Sequence, residues 1–187
     1  MKKLIGISFL CVGLLGIAQT KQDPKELKFA KVDVSPLDIV YYPLDAATGK
    51  NVNPVMKVIY SRPQSKGRSI FGNLIKYNEV WRFGANENTE LKVYKPINID
   101  GKEVSVGTYS IFAIPGETEW TIIINKTTDV WGAYSYNSAN DVVRMKVPAT
   151  KLAAPIENFS ISFVKTDNGA NMVAAWDTAQ VSLPVSF

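Results

Sequence analysis

Side chains suited to chemistry gather in one stretch of this sequence, Tyr60 to Thr89. Its thirty residues hold Arg62, Lys66, Arg68 and Arg82, the acids Glu79 and Glu87, Trp81 and three glycines. A guanidinium offers a planar fork of donors to a carboxylate, a sulfate or sugar hydroxyls. Within Trp81-Arg82-Phe83-Gly84-Ala85-Asn86-Glu87, strand geometry would send Trp81 and Phe83 to one face and Arg82 to the other. If the aromatic rings enter the core, Arg82 emerges opposite them, with Asn86 and Glu87 within reach beyond the bend at Gly84. Two readings stand side by side. In one, Arg82 and Glu87 form an ion pair that stitches a loop to a sheet. In the other, Arg82 faces a ligand, with Arg62, Lys66 and Arg68 lining the same pocket.

A second group lies in Trp131-Gly-Ala-Tyr134-Ser-Tyr136. Loop aromatics stack on the apolar face of a sugar, anchor a protein partner, or fold back to close an open end of the domain. The candidate ligand-binding set is therefore Arg62, Lys66, Arg68, Arg82, Asn86, Glu87, Trp131, Tyr134 and Tyr136.

Absences narrow the chemistry. There is no histidine, and the one cysteine, Cys11, lies in the N-terminal apolar run. Beyond that run, Ser-His-Asp and Cys-His nucleophilic sites are excluded, as are zinc or copper sites built on imidazole or thiolate. No phosphate-binding glycine loop and no EF-hand spacing occurs. Carboxylate chemistry survives: two facing acids could hydrolyse a glycoside, with Glu79, Glu87, Glu117, Glu119 and Asp177 as the supply. Their spacing selects no pair. Calcium at Asp141 or Asp167 is conceivable, although Asp167-Asn168-Gly169 fits a hairpin turn better. No cofactor and no metal are expected.

The elements that must position these residues are strands. Leu37–42, Val55–60, Glu79–83 and Thr89–94 read as strands, and a long ordered loop between Ser61 and Asn78 carries a short helical turn at Ile70–75. Long loops in compact domains are usually functional. Ile97 and Ile99, then Asp100-Gly101, then Val104 predict a tight hairpin. Gly107–114, Glu119–125, Val142–147, Phe159–163, Met172–176 and Val181–185 complete the set. The expectation is an all-β antiparallel β-sandwich, jelly-roll-like or immunoglobulin-like, with about 9–11 strands and no long helix.

Residues 1–18 read as a signal peptide: Met-Lys-Lys, an apolar run from Leu4 to Ile17, and a small-residue cleavage site before Gln19. Residues 19–36 read as a flexible polar segment and 37–187 as one sandwich domain. No transmembrane segment is expected in the mature chain, and periplasmic or extracellular residence follows. Without Lys2 and Lys3 the chain carries 19 Lys and Arg against 17 acids, a near-balanced charge that leaves no nucleic-acid footprint.

Four motifs then fall in order: Y-S-R-P-Q-S-K-G-R-S-I-F-G, V-W-R-F-G-A-N-E-N-T, G-T-Y-S-I-F-A-I-P and W-G-A-Y-S-Y. With them the chain resembles a family of secreted bacterial proteins catalogued as domain of unknown function 2911, from about Val55 to the C-terminus. The resemblance implies an exported β-rich domain, in longer relatives sometimes fused to helical repeats, and carries no activity, substrate or catalytic residue. The family pattern favours Ala after the Asn-Glu pair, where this chain has Asn88. The favoured function is non-catalytic binding of a small anionic or carbohydrate-like ligand or a surface polymer. A carboxylate-dependent envelope hydrolase and a structural or protein-interaction module are the alternatives.

Overall fold

The computed structural model describes residues 28–49 and 53–187. The leader read at residues 1–18, and the segment after it as far as residue 27, lie outside the described residues. Compactness divides the chain into Met1–Val32 and Asp33–Phe187, and the description below concerns the second unit.

Nine strands form where apolar residues alternate or run continuously: β1 (Leu37–Tyr42), β2 (Met56–Ser61), β3 (Thr89–Val93), β4 (Ile97–Ile99), β5 (Lys102–Val104), β6 (Gly107–Ile114), β7 (Glu119–Asn125), β8 (Asp141–Thr166) and β9 (Gly169–Ser186). Neighbours are antiparallel throughout, in the order β1-β2-β3-β6-β7-β8-β9-β4-β5. Helical structure among the described residues is confined to two short 3-10 turns, Leu44–Thr48 and Ser138–Asn140. No helix there is long and apolar enough to cross a membrane.

One hydrogen-bonded sheet becomes two packed layers because β8 and β9 bend. The first part of β8 pairs with β7 as far as Pro148, and from Ala149 onward it pairs with β9. The β8–β9 register slips twice, between Lys151 and Ile156 and between Ile156 and Ser160, opposite Asp177. Asp177 itself takes a left-handed φ of 52°, the signature of a bulge that bends a strand. Beyond that corner β9 comes back on itself. A Cβ on Gly169, at its start, would overlap the Val185 carbonyl near its end. Strands far apart in the sheet order therefore meet face to face: Tyr42 of β1 packs edge-on to Phe163 of β8 at 5.7 Å, and Tyr60 of β2 to Phe159 of β8 at 5.7 Å.

Two pairs of expected strands merge, Val142–147 with Phe159–163 in β8 and Met172–176 with Val181–185 in β9, because β8 and β9 pair with each other along both connections. Two other expected local elements differ in kind. Glu79–83 is not a strand, because Asn78 (φ 61°) and Phe83 (φ 55°) are both left-handed and extension cannot continue through either. Within it Trp81 alone forms a β-bridge, donating to the Ala113 carbonyl at 2.7 Å and accepting from its amide at 2.8 Å. Ile70–75 is not a helical turn. Phe71 bridges Ile75, and the Gly72 amide donates to the Ile75 carbonyl at 2.8 Å.

The long loop is ordered because its apolar residues close one part of the core. Ile70, Trp81 and Phe83 are buried. Trp81 stacks on Trp176 at 6.0 Å and meets Phe159 edge-on at 5.2 Å, and Phe71 lies 4.6 Å from Trp120. Such pairs contribute about 0.5–1.5 kcal/mol each beyond area burial. Buried indoles need acceptors, and Trp81 donates to the Gly84 carbonyl at 3.0 Å, Trp176 to that of Glu157 at 3.2 Å.

Candidate functional site

The end of the Trp81–Glu87 segment and the start of Trp131–Tyr136, both singled out in the sequence, are joined in space. Trp81 and Phe83 both enter the core although the segment is not a strand, and Phe83 turns left-handed into Gly84. A Cβ at Gly84 would stand 3.0 Å from Thr89 Oγ1 and 3.1 Å from the Ser61 carbonyl oxygen, so the segment passes close over the end of β2 and a side chain there would crowd it. After Asn86, also left-handed at φ 59°, the segment runs antiparallel to the second loop. The Asn88 amide donates to the Val130 carbonyl at 3.0 Å, the Gly132 amide to the Asn86 carbonyl at 2.9 Å, and Glu87 bridges Trp131.

Asn88 is the residue that sequence reasoning passed over. It is buried; its side-chain amide donates to Ser110 Oγ at 2.6 Å while its oxygen accepts from the Val130 amide at 3.0 Å. One side chain thus fixes both loops to β6. The departure from the resembled family's Ala was the only signal in the sequence that pointed to it.

The ion pairs among the described residues are Asp38–Arg62, Asp141–Arg144 and Glu119–Lys146, so the Arg82–Glu87 ion pair is not formed. Glu87 engages Trp131 through backbone, and its side chain is exposed. Arg82 lies instead against Gly132, its Nη1 3.6 Å from where a Cβ on that glycine would stand. The Tyr134 ring comes within 3.0 Å of the same point. Arg82 and Tyr134 therefore share the space that a side chain at position 132 would take. Arg82 Nε is buried and has no hydrogen-bond partner among the described residues. Trp131 and Tyr134 are 59% and 86% exposed, so these two rings do not fold back over the sandwich.

Tyr136 turns the other way. It packs edge-on against Phe112 at 5.2 Å, donates to Asp141 Oδ2 at 2.7 Å and accepts from Arg144 Nη1 at 2.7 Å. Burial first, and the Asp141 carboxylate next, push its hydroxyl pKa up to about 12. Asp141 also accepts from Asn125 Nδ2 at 2.7 Å, so its oxygens serve the fold. No group of three His, Cys, Asp or Glu side chains gathers as a metal site among the described residues.

The other cations stand on different supports. Arg62 clamps the two layers, donating to the Phe159 carbonyl at 3.1 Å, Asp38 Oδ2 at 2.8 Å and Ser160 Oγ at 2.7 Å. Arg68 donates to the carbonyls of Ser65 and Gln64 at 2.9 and 2.6 Å, and the left-handed Lys66 gives its amide to Glu157 Oε1 at 2.9 Å. The Ser65 hydroxyl binds the second oxygen of Glu157, and that bond leads the forces holding the Glu157 carboxyl below its ordinary value. Lys66 and Arg68 also line a hollow of about 290 Å³ with Val34, Ser35, Pro63 and Gln64. The Asp33 carboxyl is held low chiefly by the Ser35 amide, which donates to its Oδ1 at 2.6 Å, and then by the Asn86 side chain. The structure thus brings Arg82 and Tyr134 together at Gly132, next in the chain to the exposed Trp131 and beside the backbone of Asn86 and Glu87, and gives Arg62 and Tyr136 to the scaffold.

An all-β antiparallel domain of sandwich type, carrying an arginine and two exposed aromatic rings on a pair of zipped loops, is the class that fold and site define. The chain belongs to the family described as Protein of unknown function (DUF2911), whose model matches residues 43–185. No curated protein and no solved structure matches it.

Proposed function

We propose that this chain is an exported, non-catalytic binding protein. Its ligand is a small acidic sugar or related organic anion, held by Arg82 between Trp131 and Tyr134. The observation that carries the reading is that Arg82 joins no ion pair among the described residues, its Nε has no partner, and its guanidinium lies against Gly132 beside the exposed Tyr134 ring. A buried donor left unsatisfied costs roughly 1–3 kcal/mol, more on a charged group, and native folds leave few such groups without a reason. A carboxylate or sulfate fits the guanidinium fork in two parallel bonds. The exposed rings on the same loops offer faces for the apolar side of a sugar.

The test is titration of the mature protein with glucuronate, galacturonate and a sulfated monosaccharide, followed by calorimetry and ligand-observed NMR. Saturable binding that falls by about tenfold or more in Arg82→Gln, and also falls in Trp131→Ala, supports the reading. No binding by any of the three, or undiminished binding in Arg82→Gln, overturns it. Export is checked separately: protein recovered from the envelope fraction with Gln19 as its first residue supports it, and retention of Met1 in the cytoplasm refutes it.

A further inference from the structure

A second concave site lies where β8 passes from one layer to the other, walled by segments distant in sequence. Tyr77 comes from the long loop, Glu117 from the β6–β7 turn, Trp120 from β7, Lys151 from β8, and Asp177 and Thr178 from β9. The cavity is about 280 Å³, near the lower end of the roughly 300–1,000 Å³ of small-molecule sites. It suits one ring rather than an oligomer.

The walls are fixed by backbone contacts. The Asn78 amide donates to the Pro115 carbonyl at 2.8 Å, tying the Tyr77 loop to the β6–β7 turn, and the Ala149 amide donates to the Thr118 carbonyl at 2.9 Å, tying that turn to β8. A Cβ on Gly116 would stand 2.5 Å from the Glu119 carbonyl oxygen, so the turn that presents Glu117 closes only with glycine. The Tyr77 ring packs on Gly72, where a Cβ would lie 2.7 Å from Cε2. Trp120 is 2% exposed and supported by Phe71. Asp177 occupies the left-handed corner of β9, a place where bulges re-aim side chains. Neither carboxylate is used by the fold: Glu117, Asp177 and Lys151 belong to none of the ion pairs among the described residues.

We propose that this cleft binds a single hydroxyl-rich ring without negative charge, a neutral or amino sugar. Half-buried Tyr77 supplies aromatic surface for the ring's C–H face above the buried Trp120, and the Glu117 and Asp177 carboxylates accept from its hydroxyls. Two carboxylates against one ammonium leave an excess of negative charge, which repels an acidic ligand and tolerates a cationic one. The selectivity is thus opposite to that proposed at Arg82, and the two sites stand or fall separately.

The test is an amide-resolved NMR titration of the mature protein with glucose, N-acetylglucosamine, glucosamine and glucuronate. The expected result is saturable shifts at Trp120 and at Asp177–Ala179 with at least one of the first three sugars and none with glucuronate. Glu117→Gln and Asp177→Asn should each weaken that binding by about tenfold, while Arg82→Gln leaves it unchanged. Asn accepts the left-handed conformation, so Asp177→Asn keeps the corner, and melting temperatures near wild type for both variants confirm intact folds. No saturable shift at these amides with any neutral or amino sugar overturns the proposal, as does undiminished binding in both variants.

Discussion

Replacing Arg62 and Arg82 in turn by Ala separates an arginine that holds the fold from one that the fold leaves free. Arg62 donates three hydrogen bonds that join β1, β2 and β8, and the carbonyl it serves belongs to Phe159, itself in the core. Its ion pair with Asp38 is a third or more exposed on both sides, so the Coulomb part is worth under about 1 kcal/mol. The bonds to the Phe159 carbonyl and Ser160 add a charge-assisted share, for a total of about 2–3 kcal/mol. For a protein of this size that lowers the melting temperature by about 4–12 °C. Arg82 makes no side-chain hydrogen bond or ion pair among the described residues and its Nε is orphaned. Arg82→Ala strands no partner and removes the orphaned donor, so it should leave the protein at least as stable as wild type, with a gain of up to about 1–3 kcal/mol. Differential scanning calorimetry of the two variants beside wild type decides the matter. A larger fall for Arg82→Ala than for Arg62→Ala would refute the reasoning, because Arg82 would then have a structural partner and no vacancy to offer a ligand.

Gly169→Ala should destabilise by about 2–3 kcal/mol or more, since the new Cβ meets the backbone of Val185 and Ser186 rather than a flexible side chain; a urea midpoint equal to wild type would contradict the doubled-back course of β9. Glu157 has its carboxyl depressed in the fold, so its contribution is present above its ordinary pKa of 4.5 and is lost as pH falls through the folded value. Stability of Glu157→Gln measured against pH should therefore show a shallower decline on the acid side than wild type, and parallel curves would exclude that linkage. Tyr136 is raised, so its contribution is complete below pH 10 and is lost as pH rises through about 12. Phenolate absorbance should show a late-titrating tyrosine that disappears in Tyr136→Phe. Trp131→Ala and Tyr134→Ala, both at exposed rings, should leave the melting temperature within about 2 °C of wild type.

The strands were legible where a short-range rule governs them. Leu37–Tyr42, Gly107–Ile114 and Glu119–Asn125 carry their boundaries in apolar runs and turn residues, and Asp100-Gly101 takes the positive φ angles that its hairpin demands, 54° and 74°. Alternation put Trp81 and Phe83 on one face without saying which way it turned, and both are buried in the core. Other features depend on partners remote in the chain. Val142–147 and Phe159–163 are one strand because β9 pairs along their connection, and Glu79–83 is a loop because the left-handed turns on either side let Trp81 and Phe83 reach the core.

The site divides along the same line. The sequence by itself determined an antiparallel all-β chain without histidine, and a cationic loop and an aromatic loop as the places to look, since composition and alternation are local properties. Only the tertiary structure decided what each charge meets. Arg62 went to a carbonyl almost a hundred residues away, Tyr136 to Asp141, Asn86 to Asp33, and Arg82 to a glycine that offers no acceptor side chain. An ion pair is set by distances of a few ångströms between segments that only the folded sheet brings together, and spacing along a chain carries no record of them.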